Sequence, residues 1–152
     1  MSLSPLGLVV KEKLAHFCSY QERNKKEVER KLATHKGLTA IAGEQIIAEL
    51  IQENFLDEQR YLAAFIHDKF YLNKWGKRRI CYSLIGKGID NKQIQHALDE
   101  IPIQDYKNTL QELASKKKAT LVNHPDAIMH EKLVSYLLYK GYELSIIEEI
   151  VP

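Results

Sequence analysis

Six histidines, two cysteines and 20 acidic residues are the stock from which this 152-residue chain could build a catalytic or metal site. Their spacing assembles none of the usual ones. Cys18 and Cys81 are far apart and lack a C-x-x-C pattern, so they support neither a zinc site nor a disulfide framework and read as small buried hydrophobes on helix faces. His124 and His130, the closest pair, are six residues apart, whereas a helical ligand pair needs the i, i+4 spacing. Acidic neighbours such as Asp57–Glu58, Asp99–Glu100 and Glu148–Glu149 point about 100° apart on a helix, which suits caps and solvated faces rather than a catalytic dyad. The phosphate-binding, dinucleotide, zinc-protease and hydrolase motifs are all absent from the sequence. Neither an enzyme nor a cofactor is therefore expected.

Charge offers a different chemistry. The formal net charge is only +2, but between Lys69 and Lys92 seven basic residues face a single Asp90. Between Ile41 and Arg60 five acids face one arginine. Such a molecule is expected to be electrically polarised along its length, and its basic stretch to attract polyanions such as nucleic acid. Trp75 lies within that stretch beside Lys74, Lys77, Arg78 and Arg79. On a helix Arg78 would point about 160° away from Ile80, with Tyr82 following on the same outward side. Two readings stand side by side. Trp75 is a core residue at a helix start among merely solvating charges, or it belongs to a surface that holds phosphates, stacks on a base, or meets a charge-matched protein. Lys116 to Lys118 read as a solvated helix end.

The elements that must position these residues repeat. Lys-Gly followed by an apolar residue occurs at Lys36–Leu38, Lys87–Ile89 and Lys140–Tyr142, and the glycines are 51 and 53 residues apart. At the offset of 53, Ile80 matches Leu133, Leu84 matches Leu137, Ile89 matches Tyr142, Ile94 matches Ile147 and Ala97 matches Ile150. Spacings of three and four within each copy place these residues on single helix faces. Leu32 sits five residues before its glycine where Leu84 and Leu137 sit four, an extra residue near the end of that helix. The period is that of a three-helix unit.

Cap chemistry sets the boundaries. A first helix is expected from about Val10 to Tyr20, and Asn24 with Glu27 forms a capping box for the next, which Gly37 should end in a left-handed conformation. A third carries Ile46, Ile47, Leu50 and Ile51. Asp57 should cap the following helix, with Leu56 and Tyr61 as a hydrophobic staple, and that helix continues through Phe65 toward Phe70. The next is expected from Gly76 to Gly86 with Ile80 and Leu84 inward. Asp90 should then cap a helix stapled by Ile89 and Ile94, with Tyr142, Glu143 and Ile147 in the corresponding places of the last copy. Tyr106, Leu110 and Leu113, then Ile128, Leu133 and Leu137, mark the other two helices of that copy. The segment from Lys116 to Asp126, with Pro125, is a candidate flexible joint.

The expected fold is all-α: three tandem three-helix repeats, 1–57, 58–102 and 103–152, in an elongated, curved, right-handed or solenoid-like array. A unit of about 50 residues would be marginal alone. With 45% hydrophobic and 28% charged residues the chain is ordinarily globular, and no apolar run approaches the length of about 20 residues that spans a bilayer. The first ten residues lack a basic n-region, so a cytoplasmic protein is expected.

Four stretches together resemble the RecX regulatory proteins of bacteria: CSYQERNKKEVERKL (18–32), IIAELIQENFLDEQRY (46–61), KWGKRRICYSLIGKGI (74–89) and IQHALDEI (94–101). The resemblance spans roughly residues 10 to 151 and is most specific in the second repeat. It implies a modular protein that acts on the RecA recombinase. Family members bind along the helical groove of the RecA filament on DNA, inhibit its ATP hydrolysis and strand exchange, and promote filament loss. On that reading Lys74, Lys77, Arg78, Arg79 and Lys87 are the residues expected to touch filament or DNA, and the protein acts as a monomer. The alternative is a stand-alone helical DNA-binding module that uses the same basic face. A weaker third reading is an adaptor for some other protein.

Overall fold

The structure, a computed structural model, describes residues 2–151. Among these the fold is all-α, nine α-helices and one π-helical turn with no strand. The helices are α1 (Pro5–Tyr20), α2 (Lys25–Ala33), α3 (Ala40–Gln52), α4 (Glu58–His67), α5 (Lys77–Gly86), α6 (Asn91–Leu98), α7 (Ile103–Thr120), α8 (Asp126–Lys140) and α9 (Leu144–Ile150). The π-helical turn, Asp68–Leu72, follows α4. The chain divides into two compact units, Met1–Ala64 and Phe65–Pro152.

In the first unit local chemistry fixes each helix start. Ser4 accepts from the Gly7 amide and Pro5 occupies the first turn, so α1 begins well before Val10. Proline and glycine this early look like breakers, yet proline at the first helical position sacrifices no hydrogen bond. Asn24 and Glu27 make the expected reciprocal capping box on α2. That helix stops at Ala33, and the extra residue before Gly37 is spent in a turn. Thr39 caps α3, and Asp57 accepts from the amides of Gln59 and Arg60 at the start of α4. The core gathers Val10, Leu14, Cys18, Val28, Ile46, Ile47, Leu50 and Leu56, whereas Ile51 is half exposed. Glu49 and Glu53 both bind Lys11, and Asp57 and Glu22 bind Arg60. Part of the acidic stretch is thus neutralised within its own unit.

The second unit is built on Ile80, Leu84, Ile94, Leu98, Tyr106, Leu110, Leu133, Leu137, Tyr142 and Ile147, all nearly or wholly excluded from solvent. Four of the five matched pairs of the repeat are therefore matched core positions, while Ala97 and Ile150 are only partly buried. Phe70, Tyr106 and Tyr142 form an aromatic row, with centroids 5.7 and 5.1 Å apart. Gly37, Gly88 and Gly141 all have positive φ, at 91°, 82° and 104°. At Gly88 and Gly141 this left-handed step comes within two residues of the helix end and lets the apolar residue after it turn back into the core. Asp90 caps α6, accepting from the Lys92 and Gln93 amides. Glu143, its counterpart, makes no cap; its carboxylate instead accepts from the Tyr106 hydroxyl.

The segment from Lys116 to Asp126 is no long joint. Helix α7 runs to Thr120, leaving only 121–125 between it and α8. Its lysines are good helix formers, and the chain breaks only as Pro125 approaches.

Candidate partner-binding surface

The basic stretch is shaped by an abrupt end to the helical run. In the π-helical turn the Asn73 amide donates to the Asp68 carbonyl five residues back, and the Trp75 amide donates to Lys69. Lys74 takes a left-handed conformation, φ 60°. The chain then passes through extended Gly76 into α5.

Gly76 meets the turn between α8 and α9 backbone to backbone. Its amide donates to the Lys140 carbonyl at 2.8 Å, and the Arg78 amide donates to the Gly141 carbonyl at 3.0 Å. These bonds satisfy first-turn amides of α5 that no side chain caps. A Cβ on Gly76 would lie 2.3 Å from the Gly141 carbonyl carbon, so only glycine fits. Around this seam, the Tyr142 hydroxyl donates to the Lys74 carbonyl, and the Lys140 ammonium to that of Asn73. The Tyr106 hydroxyl accepts from the Lys77 amide and donates to Glu143. Burial, reinforced by Glu143, pushes the Tyr106 phenol far above its ordinary range; burial likewise raises Tyr142. Burial and, secondarily, nearby Arg79 hold Lys140 below the usual lysine value.

This geometry separates the five expected binding residues. Arg78 is exposed, and Tyr82, 83% exposed, stands on the same outward side of α5. Arg79 is half buried: its guanidinium carbon lies 4.2 Å from the Trp75 centroid and 5.0 Å from that of Tyr139. Lys77 extends over the Tyr106 ring at 4.9 Å, and Lys87 lies 5.6 Å from the Phe65 centroid. Lys74 is half buried, its carbonyl held by Tyr142. No carboxylate among the described residues forms an ion pair with any of the five.

Trp75 fits neither sequence reading cleanly. It is half buried, and Lys69 and Arg79 both stand over its ring, at 4.8 and 4.2 Å. The sequence stretch also omitted Tyr139, which joins this group from 60 residues away and is 71% exposed.

The remaining chemical candidates are dispersed. Among the described residues no cluster of histidine, cysteine and carboxylate could hold a metal ion, and no helix is long and apolar enough to cross a membrane. Cys18 is buried, but Cys81 is only partly so and exchanges weak hydrogen bonds with Asn91 and Gln95. His124 and His130 line different hollows of the second unit, and Glu149 pairs with Lys107. What the surface offers is positive charge without a carboxylate partner among the described residues, set beside aromatic rings.

Comparison with known proteins places this scaffold. Residues 57–98 match the family model for the second three-helix domain of RecX, and residues 104–151 match that for the third. A regulatory protein RecX of Oceanobacillus iheyensis is 26% identical over 140 residues, covering 90% of this chain and 50% of the relative. One of Finegoldia magna is 30% identical over 137 residues, covering 89% and 66%. The chain spans about half the length of the Oceanobacillus and Bacillus relatives it matches. The crystal structure of RecX from Lactobacillus salivarius superposes with a TM-score of 0.90 at 24% identity, over 98% of this chain and 96% of that one.

Proposed function

The chain belongs to the RecX family of regulatory proteins, and on that premise we propose that it binds the RecA recombinase filament on DNA and inhibits its ATPase and strand exchange. The observation that carries this reading is the pair of adjacent family matches over the second and third three-helix units. The units themselves are taken as 1–57, 58–102 and 103–152. A regulator of this kind needs no reaction centre; it needs a rigid surface with a charge pattern that a filament can recognise.

Lys74, Lys77, Arg78, Arg79 and Lys87 are proposed as that surface, with Arg78 its most accessible member and Arg79 its internal brace. Arg78→Glu should leave the fold intact, since exposed charge changes usually alter stability by no more than about 0.5 kcal/mol. Arg79→Glu should lower stability as well as binding, because it removes a cation from between two rings and sets a carboxylate against them.

The test is a titration of RecA's DNA-dependent ATPase. Suppression at well below one copy per recombinase subunit, persisting when excess duplex DNA is added, is the expected result. Loss of inhibition whenever duplex is in excess would instead mean a stand-alone DNA-binding module. An inhibition curve unchanged by Arg78→Glu would remove that residue from the surface.

A further inference from the structure

A groove of about 740 Å³ runs between the end of α7 and the outer face of α8. Lys117, His124, Lys132, Tyr136 and Tyr139 line it, with Glu131 the one carboxylate among its described lining residues. Lys117 stands over the Tyr136 ring at 4.9 Å. Tyr139 belongs both to this groove and to the Arg79–Trp75 stack. A cation–aromatic stack thus runs from Lys69 through Trp75 and Arg79 to Tyr139, and a second pair, Lys117 over Tyr136, lines the same groove.

We propose that this groove, with Tyr139 and Arg79 at its mouth, is a binding track for single-stranded nucleic acid. The track shares Arg79 with the filament reading but otherwise lies beyond its five residues, and its existence does not depend on the recombinase. Three features select the ligand. Lys132 is exposed and forms no ion pair with a described residue, and with Lys117 and Arg79 it offers positions for successive phosphates. Trp75 is already covered by two cations, whereas Tyr139 is 71% exposed and backed by Arg79, leaving it as a ready platform for a base. A duplex presents no unstacked base faces to such a platform, and an acidic peptide would engage the cations but leave the rings unused.

The test is fluorescence anisotropy of a labelled oligothymidylate with the whole protein and no recombinase, so its failure is independent of any failure to inhibit RecA. Tyr139→Ala should weaken binding about tenfold or more, the effect of losing one stacked base, while Tyr139→Phe should keep near-parental affinity. Lys132→Glu should weaken binding and make the log-log salt dependence shallower by about 0.7, one phosphate's worth. Circular dichroism should show all three variants folded, as both positions are exposed. The proposal is overturned if the parent protein does not bind the oligonucleotide or if Tyr139→Ala binds as tightly as the parent. It is equally overturned if duplex competes as well as single strand, or if polyglutamate displaces the oligonucleotide with equal potency, the last result pointing to an acidic protein ligand.

Discussion

Replacing Gly76 with alanine should open the seam between α5 and the α8–α9 turn. Backbone conformation is not the obstacle, because φ −77° and ψ 166° are open to any residue. The obstacle is space: the added carbon would lie 2.3 Å from the carbonyl carbon and 2.4 Å from the oxygen of Gly141, neither of which belongs to a flexible side chain. Restoring normal contact requires the two backbones to part by about 1 Å, enough to forfeit much of the local dispersion energy. The same movement stretches Gly76 to Lys140 and Arg78 to Gly141, now 2.8 and 3.0 Å, and strains the Tyr142 and Lys140 bonds to the opposite carbonyls. At about 0.5–1.5 kcal/mol net for each hydrogen bond, with some relaxation, the expected loss is about 2–4 kcal/mol. Urea unfolding would measure it, and hydrogen exchange at the Arg78 amide would localise it. Gly86→Ala is the control, since its Cβ meets nothing within 4 Å and should stabilise by up to about 1 kcal/mol. If Gly76→Ala unfolds within about 0.5 kcal/mol of the parent with Arg78 protection unchanged, the seam is not the close-packed joint described.

Leu84→Ala, at a position wholly excluded from solvent, should cost about 2–5 kcal/mol, and inhibition by the variant should scale with its folded fraction. Tyr106→Phe removes a hydroxyl that both accepts from Lys77 and donates to Glu143, and should cost about 1–3 kcal/mol in the same unfolding assay. The buried phenols also set a pH dependence. Tyr106 and Tyr142 hold their protons more tightly in the folded state, so their contribution is fully present below the unfolded tyrosine value near about 10 and is lost as pH rises above it. Alkaline unfolding should begin above that pH, and Tyr106→Phe should make the decline shallower.

What was legible in the sequence was what a helix settles within one turn. Asn24 with Glu27, Asp57 and Asp90 cap where their neighbours say they should, and most of the repeated apolar residues are core residues because three- and four-residue spacing leaves them one face. Long-range partners were invisible for an equally physical reason. Tyr106 reaches 29 residues back to Lys77 and 37 forward to Glu143, and no local pattern announces such a bond. Glu143 resembles a cap in the aligned copies but is claimed by that phenol. Helical phase already turns Arg78 outward, but the approach of Trp75 and Tyr139 that makes Arg79 a brace is not written in the letters around it. The π-helical turn was read as plain helix because one extra residue within a turn leaves the apolar spacing around Phe70 largely intact.

The glycine seam has a consequence for how this molecule can change over time. Two helical segments joined through side chains would need compensating substitutions on both sides whenever one partner drifted. Here the central bonds are made by main-chain atoms, which every residue except proline can supply. What is specified is mainly an absence, the missing Cβ at Gly76 and Gly141. Around these two fixed points the solvent-facing residues of α5 and α8 can be exchanged without disturbing the angle at which the helices meet, so a change of ligand need not require a change of architecture.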